Sequence, residues 1–144
     1  MHRVDRSVLL PYSAQQMYDL VADVKSYPQF LPWCAGVHLK YRPDGTLEAR
    51  LDLDYRGVRS HFTTHNRQAA PESIHMHLLD GPFRRLDGHW HFKPLANQGC
   101  KVQLRLQYQF AAGLLGRAIQ PVFEFIAGSQ IEAFSRRAEA LYGR

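Results

Sequence analysis

The sequence predicts an α+β domain in which one antiparallel sheet wraps a long C-terminal helix, and three observations point there. Apolar residues recur with a period of two from about residue 35 to residue 110. They recur at helical spacing from Leu114 to Tyr142, and a short amphipathic helix with a capping box stands near the start. A chain of 144 residues without repeats, low-complexity tracts or a dividing linker fits one domain spanning residues 1–144. At that length folding buries roughly two thirds of the unfolded surface, enough for a packed core without staples.

Residues 3 to 10 read as a first strand, stopped by Pro11. Ser13 and Gln16 have the Ser-x-x-Gln spacing in which each side chain satisfies the other residue's free backbone N–H. The helix that follows places Met17, Leu20, Val21 and Val24 on one face, so it lies on a core. Behind it "SYPQFLPWCAG", residues 26 to 36, packs two prolines, three aromatics and a cysteine into one stretch. Pro28 and Pro32 forbid a long helix and leave a short helical turn or a rigid loop. That stretch suits a hydrophobic plug, the rim of a ligand cavity or a partner-docking knob.

Further on, Leu47, Ala49, Leu51 and Leu53 alternate with charged residues, as do Val102, Leu104, Leu106, Tyr108 and Phe110 with Lys101, Arg105 and three glutamines. Such alternation marks half-buried antiparallel strands. Turn signals at Pro43-Asp44-Gly45, Gly57, Pro71, Gly81-Pro82 and Asn97-Gln98-Gly99 cut the region into about six strands with short connections, a meander. Asp80-Gly81-Pro82-Phe83 reads as a hairpin connection. The helix from Leu114 to Tyr142, about 43 Å long if unbroken, ends at Gly143 and carries a stripe including Ile119, Phe123, Ile126 and Phe134. Pro121 argues for a kink or a late start.

By parity the inward face includes Leu51, Phe62, Ile74, Met76, Leu78, Trp90, Phe92 and Leu104, with hardly an ionisable group. Acid–base chemistry needs such a group within reach of the reacting atom, so a small-molecule binding cavity is expected rather than an active site, and no catalytic residue is assigned. The outward parity carries Arg59, His61, His65, His75, His77, His89, His91, Lys93, Lys101 and Arg105. His75/His77 and His89/His91 have a spacing that can share a metal, but no cysteine or carboxylate completes a characteristic ligand pattern, and no metal site is expected. A net charge of +5 admits an anionic partner such as RNA, an acidic protein or anionic lipid. The two cysteines, Cys34 and Cys100, lack metal-ligand spacing and suit free packing thiols. With no apolar signal region at the N-terminus and no apolar run of about 20 residues, a cytoplasmic place is expected, with peripheral contact at the inner face of the membrane as the other option.

"MYDLVADVKSYPQFLPWCAG", "GPFRRLDGHWHFKPL" and "IEAFSRRAEALYG" resemble, in order and spacing, the START-like family of the polyketide cyclase-like superfamily that contains the mitochondrial coenzyme Q-binding proteins and the bacterial ribosome association toxin RatA. The resemblance runs nearly end to end. It implies a helix-grip (Bet v 1-like) fold with two short helices after the first strand. It implies non-enzymatic binding of a lipophilic ligand, notably ubiquinone in support of respiration, with no required cofactor. The bacterial branch implies association with the large ribosomal subunit and a block on subunit joining; no DNA partner is expected. The matching motif positions are Tyr27, Pro28, Phe30, Leu31, Pro32 and Trp33, with Phe83 and Trp90 in the second segment. On this reading Leu31, Trp33, Leu51, Phe62, Trp90, Phe123 and Ile126 line or gate the cavity. Arg59, Lys101 and Arg105 are the residues assigned to a polyanion or partner surface, and a cyclase- or hydrolase-type enzyme is the third reading.

Overall fold

The computed structural model describes residues 1–143. β1 spans His2–Leu10 and is followed by α1, Ala14–Ala22. Ser13 caps α1 with the full reciprocal box: its hydroxyl accepts from the Gln16 backbone N–H, and the Gln16 side chain accepts from the Ser13 N–H. A 3-10 helix, Val24–Gln29, then carries Pro28. Six strands follow: β2 Cys34–Tyr41, β3 Leu47–Tyr55, β4 Val58–Ala69, β5 Ser73–Asp80, β6 Phe83–Pro94 and β7 Cys100–Phe110. The last element is α2, Leu114–Tyr142.

All neighbouring strands are antiparallel, in the order β1-β7-β6-β5-β4-β3-β2. The meander is therefore closed on one side by β1, whose Val4 and Val8 face Leu106 and Val102 of β7. One face of this curved sheet grips α2, the helix-grip arrangement. Ile119, Phe123, Ile126, Phe134 and Ala138 on α2 are buried against Phe62, Trp90, Leu104 and Tyr108 of the sheet.

The helix departs from expectation at Pro121. It runs unbroken from Leu114, so the late start is not found. Pro121 has no N–H to offer the carbonyl of Arg117, but both residues are exposed and water can satisfy that oxygen. His65 departs as well. Parity sets it on the outer face, yet it is only 8% exposed, because the turn between β2 and β3 folds over it. Its Nε2 donates to the Thr46 hydroxyl at 2.8 Å, and that hydroxyl donates on to Asp44 at 2.6 Å.

Candidate functional site

The sheet and α2 do not pack flush along their whole length. Between them lies a cavity walled by β3, β4, β5, β6, β7, α2 and the 3-10 segment. Counting its mouth to solvent it holds about 680 Å³ free of atoms. Trp33, Leu51, Phe62, Trp90, Phe123 and Ile126 all stand in its walls, and Tyr27 joins them. Leu31 does not. It is 1% exposed and lines a separate groove, between Phe30, Pro32 and α2.

The motif at residues 26–36 thus faces two ways. Tyr27 and Trp33 close the cavity, while Phe30 lies half-buried beneath the Arg137 guanidinium, 4.9 Å from the ring centroid. Arg137 also donates to Gln29 at 3.0 Å, and Phe134 sets its ring 5.3 Å from both Tyr27 and Phe30. Pro28 and Pro32 are exposed and act on the backbone alone.

Three polar cavity residues escaped the reading of the sequence. Thr64 and Asn66 share the inward parity of Phe62, a signal that was there to use, and Gln130 follows Ile126 by four residues on α2. Thr64 Oγ1 donates to Asn66 Oδ1 at 2.7 Å, and the buried Oε1 of Gln130 has no hydrogen-bond partner among the described residues. The lining is otherwise apolar and contains no Asp, Glu, Lys, Arg or His. Tyr27 is its one titratable group. Burial pushes that phenol well above its ordinary value, and its O–H donates to the Val21 carbonyl, so it stays protonated. Burial likewise pushes the Cys34 thiol up to about 11, and Cys100 is buried too; both are free thiols that pack.

One strand residue, Gly88, makes room. Met76, Gly88 and Leu106 pair in register across β5, β6 and β7 on the inward face. A Cβ on Gly88 would lie 2.8 Å from Leu106 Cδ2 and 2.8 Å from Met76 Cε, so both side chains lean into the space glycine leaves.

On the outer face the three assigned cations do not form one patch. Lys101 pairs with Lys93, and Arg105 with His89, toward one side of the sheet. Arg59 lies three strands away, beyond the last β4–β5 pair, and faces Asp54 at 3.4 Å. Arg105 itself faces Asp5 at 3.5 Å. Parity assigns a side of the sheet, and the acidic residues on that side dilute its charge.

The profile of the polyketide cyclase / dehydrase and lipid transport family matches residues 10–135. The chain belongs to this family. Among its relatives, ribosome association toxin RatA of Escherichia coli K12 is 41% identical over 142 residues, covering 99% of this chain and 90% of the toxin. Coenzyme Q-binding protein COQ10 homolog B, mitochondrial, of Xenopus laevis is 26% identical, covering 96% of this chain and 58% of that protein. The Zhui aromatase/cyclase from Streptomyces sp. R1128 shares the START-like fold, with a TM-score of 0.81 at 20% identity over 96% of this chain and 93% of the enzyme. Among the described residues no helix is long and apolar enough to cross a membrane.

Proposed function

We propose that the chain is a non-enzymatic binder of a lipophilic small molecule of the quinone class, held between the sheet and α2. The observation that carries this reading is the lining: apolar and aromatic walls with one neutral polar cluster and no charged group. Asn66 uses its oxygen to accept from Thr64, which leaves its amide N–H groups for a ligand carbonyl. The unpartnered Gln130 oxygen accepts from a hydroxyl, so the oxidised and reduced forms of a quinone each find a partner. An isoprenoid tail adds about 0.8 kcal/mol per CH₂ buried. The lining's one titratable group, Tyr27, is held protonated with its O–H engaged by the Val21 carbonyl, which weighs against a cyclase-type reaction in spite of the shared fold.

Trp33 and Trp90 both stand in the walls, so tryptophan fluorescence reads occupancy directly. Titration of delipidated protein with a short-chain ubiquinone is expected to quench it saturably. Leu51→Arg, which sends a charge into the cavity mouth, is expected to abolish quenching in a protein that still folds. Quenching that is linear, or identical in the variant, would overturn the assignment.

A second reading rests on the toxin relative at 41% identity over nearly the whole chain. It takes the large ribosomal subunit as partner, approached by the Lys93/Lys101/Arg105 side of the sheet. Lys93→Glu with Lys101→Glu is then expected to weaken cosedimentation with large subunits at least tenfold and flatten its salt dependence, whereas Arg59→Glu leaves it unchanged. Equal effects of the two changes, or insensitivity to salt, would remove that face from consideration.

A further inference from the structure

Five histidines form a continuous chain across the outer face of β4, β5 and β6. Ring centroids run His65 to His77 at 5.7 Å, His77 to His75 at 5.6 Å, His75 to His89 at 5.4 Å and His89 to His91 at 5.8 Å. Near the middle stands one carboxylate, Asp87, directly opposite His77 in the β5–β6 register. His75 Nε2 lies 3.0 Å from Asp87 Oδ1, and His77 Nδ1 lies 4.0 Å from the same oxygen. One ligand atom from each of these three residues falls within 4.8 Å of the other two.

We propose that His75, His77 and Asp87 bind a divalent transition-metal ion of the zinc class, with His89 next to the remaining coordination position. Two imidazoles converge on a single carboxylate oxygen, and a hydrogen bond joins only one of them to it closely; an ion lying between the three engages all of them. Tetrahedral bonds of about 2.0–2.1 Å set donor atoms roughly 3.4 Å apart, which small side-chain rotations supply here. Nitrogen and carboxylate donors without thiolate favour zinc, cobalt, nickel or copper over calcium and magnesium, which prefer oxygen alone. All three side chains are between 39% and 49% exposed, so an ion reaches them from solvent without opening the fold.

Position gives the site a role. The β5–β6 ladder runs from Ser73 opposite His91 to His77 opposite Asp87, its last pair. An ion there clasps two strands at the end of their shared ladder.

The test uses full-length protein freed of any polyhistidine tag, titrated calorimetrically with zinc chloride. One ion per chain is expected, with no heat from magnesium chloride. His77→Ala and Asp87→Asn are each expected to weaken binding at least tenfold, and His38→Ala, an outer-face histidine paired with Asp52 far from the cluster, to leave it unchanged. Zinc is also expected to raise Tm in the wild type and not in Asp87→Asn, and to shift the amide resonances of residues 75, 77 and 87 in the unaltered protein. No binding, binding unaffected by Asp87→Asn, or resonance shifts centred elsewhere each overturn the proposal.

Discussion

Phe134→Ala is expected to destabilise the protein by about 3–5 kcal/mol, lowering Tm by on the order of 10 °C. Phe134 is 1% exposed, and its ring meets Tyr27, Phe30 and Trp90 edge-on, each at a centroid distance of 5.3 Å. It therefore ties three parts of the chain together: α2, the aromatic motif after α1, and the inward face of β6. Truncation leaves a void that rigid aromatic neighbours cannot collapse into, which places the cost at the upper end of core substitutions. Thermal unfolding of Phe134→Ala beside Glu139→Ala, an exposed helix position expected to stay within about 0.5 kcal/mol, measures it. A loss under 1 kcal/mol for Phe134→Ala would mean that the motif holds its place without α2.

Gly88→Val is expected to remove ligand binding while leaving the fold intact. The new Cβ needs the space now taken by the ends of Met76 and Leu106, and both side chains must swing toward the cavity. Overpacking of this kind costs about 1–3 kcal/mol, partly offset because a β-branched residue suits a strand better than glycine does. Wild-type circular dichroism with no saturable ubiquinone quenching is the expected result. Undiminished quenching in the variant would put the ligand outside the space between sheet and helix.

Much of this architecture was legible in the residues. Regular elements announce themselves by period, and the six strands of the meander, the capping box at Ser13 and the long helix all appear where alternation and helical spacing place them. Legibility ends where period ends. Leu31 lies in a stretch shaped by two prolines, where no parity tells one side from the other, and it turned to the groove instead of the cavity. Arg59 shows a different limit. Alternation decides which face a strand residue occupies, but its neighbours depend on register, which hairpin geometry sets. His65 shows a third, since its burial comes from a turn nineteen positions earlier in the chain that closes over it. Thr64 and Asn66 show a fourth: they carry no ionisable group, so an acid–base criterion passes over them, whereas a cavity lined with apolar walls takes its polar contacts from neutral donors and acceptors.

The pairing of β1 with β7 has a bearing on how the chain is made. His2 lies opposite Tyr108, so the first strand waits for more than a hundred residues before its hydrogen-bonding partner exists. α2, which covers the concave side of the sheet, follows every strand in the chain. During synthesis the apolar residues of β3, β4 and β6 are present before the helix that buries them, and contacts between residues so distant in sequence close slowly. The nascent protein therefore passes through a stage with an uncovered hydrophobic trough and with β1 still unpaired.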